Sequence, residues 1–199
     1  MFLHWLRAAA SAIRARIGRR HIAAAIVLVA VGIIVGGLLD RPDRIDDQVQ
    51  SALPTLGLAC ATLRGGAAEY VGRFAAGMGV VHGLKNGLGD AEINQRPESK
   101  SHGFPSGHAA AATYGASYLM RECAGMVPYG AAAAAIAAGF VGAARVEDGH
   151  HSITQVLGGA IIGAGSDLVL RRPRSRTWVA RHWQALLRAL KRAFLANDD

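Results

Sequence analysis

Uncharged stretches recur along this chain at lengths suited to helices in lipid, and the polar residues between them fall into short groups. Ile22 to Leu39 carries no charge and stops at Asp40. At about 1.5 Å per residue this run reaches roughly 27 Å, close to the hydrocarbon thickness of a bilayer. It is too long for the apolar part of a signal peptide and ends without a small-residue cleavage pattern. Phe104 to Met120 and Gly125 to Ala144 have the same character, as has Ile153 to Leu170 apart from Asp167 near its end. Ser51–Leu63 and Ala67–Leu84 are shorter and are interrupted by Arg64, Glu69 and Arg73. They read either as a helical hairpin crossing twice or as two helices lying on the surface. The pattern predicts an all-α fold, a polytopic membrane helical bundle of about six transmembrane helices. Residues 40–47, 90–102 and 145–151 then form turns and loops on one side, with Arg121-Glu122 on the other.

Composition supports close-packed helices: 51% of residues are hydrophobic, 18% are charged and 25 are glycine. Small side chains let helix backbones approach one another in lipid. The net charge of +8 would also suit a nucleic-acid binder, but its distribution excludes that partner. Five arginines and no acids precede Ile22, eight basic residues lie between Arg171 and Arg192, and the middle holds nine basic against twelve acidic residues. Basic ends on an apolar body are what the positive-inside rule gives when both termini are cytoplasmic. Residues 1–20 read as a basic amphipathic N-terminal helix on the membrane surface, 21–170 as a transmembrane domain, and 171–199 as a basic cytoplasmic tail that repeats the amphipathic theme. Cys60 and Cys123, in or beside apolar runs, are expected as small packed thiols.

Three groups carry chemistry. In Phe104-Pro105-Ser106-Gly107-His108, Ser106 suits the cap of the following helix and Gly107 lets a ligand approach the backbone. A helix start presents unpaired N–H groups and the positive end of the dipole, which together bind phosphate. His108 falls in that first turn. In the second group, Arg145 to His151, a guanidinium can clamp two phosphoryl oxygens and a neutral imidazole can attack phosphorus. Alone, these groups also read as a capped helix and a solvated loop. With Lys85 and Arg96-Pro97 added, three cations stand at the ends of apolar segments, where an anionic ligand is expected. Two histidines then supply an attacker and a proton donor.

This order and spacing resemble the type 2 phosphatidic acid phosphatase superfamily, related to bacterial acid phosphatases and vanadium haloperoxidases. The resemblance covers roughly residues 80–165. Arg96-Pro97 and Pro105 to His108 match outright, and Arg145 to His151 keeps the family's five-residue gap. It implies a helical bundle core, metal-independent chemistry without a cofactor, His151 as nucleophile and His108 as general acid. Lys85, Arg96, Ser106, Gly107 and Arg145 would cradle the phosphate. Three positions depart from the pattern. Ten residues separate Lys85 from Arg96 where the family has six, so Gly89 occupies the expected position and Lys100 is a rival for the charge. Ala144 replaces a serine. Gln155 replaces the aspartate that orients and polarises the nucleophile; Glu147, Asp148 or Asp167 could stand in for it, and His150 is the alternative nucleophile.

The implied function is an integral lipid phosphatase of the bacterial inner membrane, with its site on the outer face, acting on a phosphomonoester or diphosphate of a membrane lipid. A phosphotransferase with a lipid acceptor, a lipid-phosphate binder weakened by Gln155, and a histidine metal site formed by His102, His108, His150 and His151 are the rivals. The last fits no standard zinc spacing.

Overall fold

The computed structural model describes residues 18–40, 44–98, 100–126 and 129–169. The amphipathic stretches expected at 1–20 and 171–199 lie outside these residues, except that the first helix already begins at Arg19. Two compact units are delineated, Met1–Asp167 and Leu168–Asp199, and the account below concerns the first.

The described residues form six α-helices and no strand: α1 Arg19–Asp40, α2 Ile45–Arg64, α3 Ala67–Gly87, α4 Gly107–Glu122, α5 Gly130–Glu147 and α6 Ile153–Val169. The ambiguous stretch resolves into two full helices, α2 and α3, turned about Gly65 and Gly66. Two expected loops are shorter than the sequence suggested. Helix α2 already contains Asp46 and Asp47, and α5 extends far enough to carry Arg145 in its last turn. By length and composition α5 is long and apolar enough to cross a membrane, while the apolar parts of α1 and α6, His21–Gly37 and Ile153–Val169, are slightly shorter.

Helix α4 organises the packing. One cluster joins it to α2 and α5 through Leu53, Ala112, Ala116, Ala134 and Val141. Another joins it to α2 and α3 through Cys60, Ala61, Tyr70, Tyr114 and Tyr118. The Tyr114 hydroxyl donates to the Tyr70 carbonyl at 2.6 Å, and that of Tyr70 donates to the Pro54 carbonyl at 2.8 Å. These bonds satisfy phenols that the packing removes from water. Close approach depends on glycine. A side chain at Gly115 would strike the α2 backbone at Leu53 and Pro54, and one at Gly159 or Gly163 would strike the carbonyls of Ser106 or Ala110 on α4.

Charge is also buried here. Asp167 on α6, fully buried, accepts from Arg73 at 3.0 Å and from the Ser117 hydroxyl at 2.7 Å, and pairs with Arg121. This pins α3, α4 and α6 together. It also removes Asp167 as a stand-in for the family's aspartate, because its carboxylate is committed to these partners. Cys60 and Cys123, expected as separate thiols, are joined in a disulfide between α2 and the end of α4. Folding brings together two cysteines that the sequence holds 63 residues apart.

Substituting Gly115 by valine should lower stability by about 1–3 kcal/mol, because backbone offers nowhere for the side chain to go. Gly139→Ala, on an α5 face where an added methyl meets nothing, should be neutral or slightly stabilising. Denaturant or thermal unfolding of the two variants checks this, and equal stabilities would contradict the packing described.

Candidate active site

The end of α3, the start of α4 and the end of α5 surround a cavity of about 560 Å³, together with the loops that follow α3 and α5. Lys85, Arg96, Gly107, His108, Arg145 and His151 all line it. Residues as far apart in sequence as Lys85 and His151 therefore share one hollow. Pro54, Phe74, Met78 and Ala111 make an apolar wall beside the charged one.

Each placement has a local cause. Helix α3 runs through Lys85 and stops at Gly87, so Lys85 points from its last turn and donates to the His102 carbonyl at 2.7 Å. Gly89 follows with φ +48°, a left-handed turn that favours glycine. The lysine thus sits one turn earlier than the family spacing, because the expected position lies in the turn that ends the helix. Asn94, buried and not singled out by the sequence, ties the loop together. Its amide donates to the carbonyls of Lys85 at 2.9 Å and Gly89 at 2.7 Å, and its oxygen accepts from Phe104 N–H at 3.0 Å. Ser106 caps α4 as expected, its hydroxyl accepting from Ala109 N–H at 3.4 Å. It is fully buried behind Gly107, and the cavity wall at this point is the backbone of the helix start.

Gln155 explains the replaced aspartate. Its Nε2 donates to the carbonyls of Ile93 at 2.9 Å and Gln95 at 2.7 Å, which fixes the amide's orientation. Its Oε1 therefore faces His151 Nδ1 at 3.1 Å and also accepts from Ser152 N–H at 3.2 Å. The Ser152 hydroxyl in turn accepts from Gln155 N–H at 3.3 Å, completing a reciprocal cap at the start of α6. An amide oxygen can only accept, so His151 carries its proton on Nδ1 and leaves the Nε2 lone pair free. Burial, opposed in part by the Gln155 bond and reinforced by Arg96 and Lys85, lowers the His151 pKa to about 4. The ring is neutral at ordinary pH.

The competing residues are engaged elsewhere. His150 turns to Glu98, whose other oxygen accepts from Lys100 at 3.0 Å. Bonds from Lys100 and His150 hold the half-buried Glu98 carboxyl below its usual range. Glu147 and Asp148 are exposed, and the bond from His151 goes to Gln155. Arg96 and Arg145 each keep a buried Nε that bonds to nothing among the described residues, an arrangement that costs free energy unless an anion accepts from it. Two acids expected in the turn at 40–47 also reach the site. Asp46, buried, and Asp47 both bond Arg145 Nη2, the latter at 2.9 Å, and Asp47 Oδ1 lies 3.2 Å from His108 Nε2. Nearly a hundred residues separate them from Arg145, and only the pairing of α2 with α5 joins them.

The model of the PAP2 superfamily matches residues 66–178, more than half of the chain, while no curated protein and no solved structure gives a match. The match contains the Arg96-Pro97 and Pro105 to His108 groups, Arg145, His151 and the α6 cap, with Arg96, Gly107, His108, Arg145 and His151 lining one cavity, and the chain belongs to the PAP2 superfamily.

Proposed function

We propose that this protein is an integral membrane lipid phosphatase that hydrolyses a phosphomonoester or diphosphate of a membrane lipid through a phosphohistidine. PAP2 membership suggests phosphatase activity on phosphate esters. The observation that carries the finer reading is the convergence of Lys85, Arg96, His108, Arg145 and His151 on one cavity that also has an apolar wall. A lipid substrate suits that mixed lining, with its phosphate against the cations and the base of its chains against Phe74 and Met78.

The reaction follows from the donors. Lys85, Arg96 and Arg145, with the Gly107 and His108 N–H groups at the helix start, hold the phosphoryl oxygens and spread their charge. His151 Nε2 attacks phosphorus while the P–O bond to the lipid breaks, and the leaving oxygen takes a proton from His108. Water then attacks the phosphohistidine, giving its proton back to His108 as the P–N bond breaks. Gln155 holds the ring in its attacking tautomer through both steps. The cationic side chains supply the charge neutralisation that a divalent ion supplies in other phosphoryl-transfer sites.

Membrane residence rests on outward apolar side chains. Leu28 and Val29 on α1, Ile136 on α5, and Leu157 and Ile161 on α6 are all exposed. Such a belt belongs in lipid rather than water. With six crossings and basic residues before and after them, the positive-inside rule puts the cavity on the outer face. Cys60 and Cys123 then fall at the inner end; Cys60 is buried among Tyr70, Tyr114 and Tyr118, away from thiol reductants.

Purified protein in EDTA should release phosphate from at least one of phosphatidate, phosphatidylglycerophosphate, a polyprenyl diphosphate or phosphorylated lipid A. His151→Ala should abolish that release, and His108→Ala should slow it roughly 10²- to 10⁴-fold. Full activity in His151→Ala would overturn the assignment. The pH profile gives a second check. Protonation removes the nucleophile only as pH falls through about 4, so the acid limb of kcat/KM should lie below about pH 5. Gln155→Asp should move that acid limb upward, since a carboxylate favours the imidazolium; an unmoved limb would mean that another group titrates.

A further inference from the structure

Asp47 occupies an unusual position for a carboxylate in a site built to bind anions. It lies in the first turn of α2, outside the stretch matched by the family. Its Oδ1 is 2.9 Å from Arg145 Nη2 and 3.2 Å from His108 Nε2. A phosphoryl oxygen docked between the clamp and the proton donor would take hydrogen bonds from these same two nitrogens. One oxygen within reach of both defines a single spot, and two anions cannot share it.

The neighbouring acid behaves differently. Asp46 is buried against Arg145 and keeps the guanidinium in place whatever Asp47 does. The Asp47 side chain is 30% exposed, so it has water to turn into. The rest of the cradle is not taken up by these acids: both bond Nη2 of Arg145, while the Nε atoms of Arg145 and Arg96 remain unbonded among the described residues.

We propose that Asp47 is a positioning residue that stands in for a phosphoryl oxygen in the free protein, holding the His108 Nε2 proton toward the site until the phosphate of the substrate displaces it. The proposal rests on the phosphatase reading for the roles of His108 and Arg145. On displacement the Nε2–H turns from Asp47 Oδ1 to the ester oxygen, which takes that proton as the P–O bond breaks. Asp47 keeps its charge and moves toward solvent. When inorganic phosphate forms, the same carboxylate competes for its place and favours its departure. The cost is weaker binding of every phosphate-like anion.

Orthovanadate, which takes the five-coordinate geometry of phosphorus in transfer, is a suitable probe, with binding read directly by calorimetry on the purified full chain. Asp47→Asn should bind it roughly two- to fivefold more tightly than the native protein, the scale of one partly exposed ion pair. Asp47→Ser should do the same, so the outcome does not hang on one variant folding. Asp47→Glu, which keeps the charge, should bind as weakly as the native protein. Equal or weaker vanadate binding in the Asn and Ser variants would overturn the proposal. Because binding is read without turnover, failure to release phosphate from any lipid would count against the phosphatase reading alone, and the vanadate comparison would still decide this one.

Discussion

The side-chain amide of Gln155 makes four hydrogen bonds from a buried position, and both its polar atoms are used. Two donations to the loop before Arg96 leave its oxygen facing His151, and that oxygen sets the tautomer of the ring. The same oxygen starts helix α6, so His151, the loop beside Arg96 and the helix start share one anchor. A buried polar group so fully paired costs little, whereas losing one partner leaves others unsatisfied. An aspartate here would have a shorter reach and no donors, leaving the carbonyls of Ile93 and Gln95 without their amide. The neutral residue is therefore part of a different local solution. What it gives up is stabilisation of the imidazolium; what it gains is a rigid, uncharged histidine with its lone pair free.

The frame around this anchor is built from closeness. Glycines on α4 and α6 bring backbones into contact, and the tyrosines of α3 and α4 bond to carbonyls that this packing removes from water. Away from the cavity, Asp167 gathers Arg73, Arg121 and Ser117. Removing one partner from such a network leaves charge uncompensated, which is costly in a buried setting. The bundle thus holds opposite charges paired at Asp167, while the cations around the cavity keep donors for an arriving anion.

Much of the site could be read from sequence because its chemistry is concentrated in short groups. Pro105 to His108 reads as a capped helix start, and the gap between Arg145 and His151 places both beside one turn. The capping pair Ser152 and Gln155 was also legible as a serine followed three residues later by a glutamine, a signal that the comparison with an expected aspartate overshadowed. Asn94, Asp46 and Asp47 were not legible. Each acts through partners that folding brings near, and an acid beside an arginine in a turn looks the same whether it is solvated or turned inward. The reach of α5 through Arg145 was missed because its charged residues, from Arg145 on, look like the start of a loop; the disulfide was missed because two cysteines so far apart carry no pairing signal.

The most direct measurement is to trap the covalent intermediate. Enzyme mixed with a labelled lipid phosphate should be quenched in alkali, where phosphohistidine survives, and the modified peptide and ring nitrogen identified by mass spectrometry and NMR. The tautomer imposed by Gln155 predicts phosphate on His151 through Nε2. Label on His108, label on Nδ1 of His151, or turnover with no labelled histidine would contradict the account.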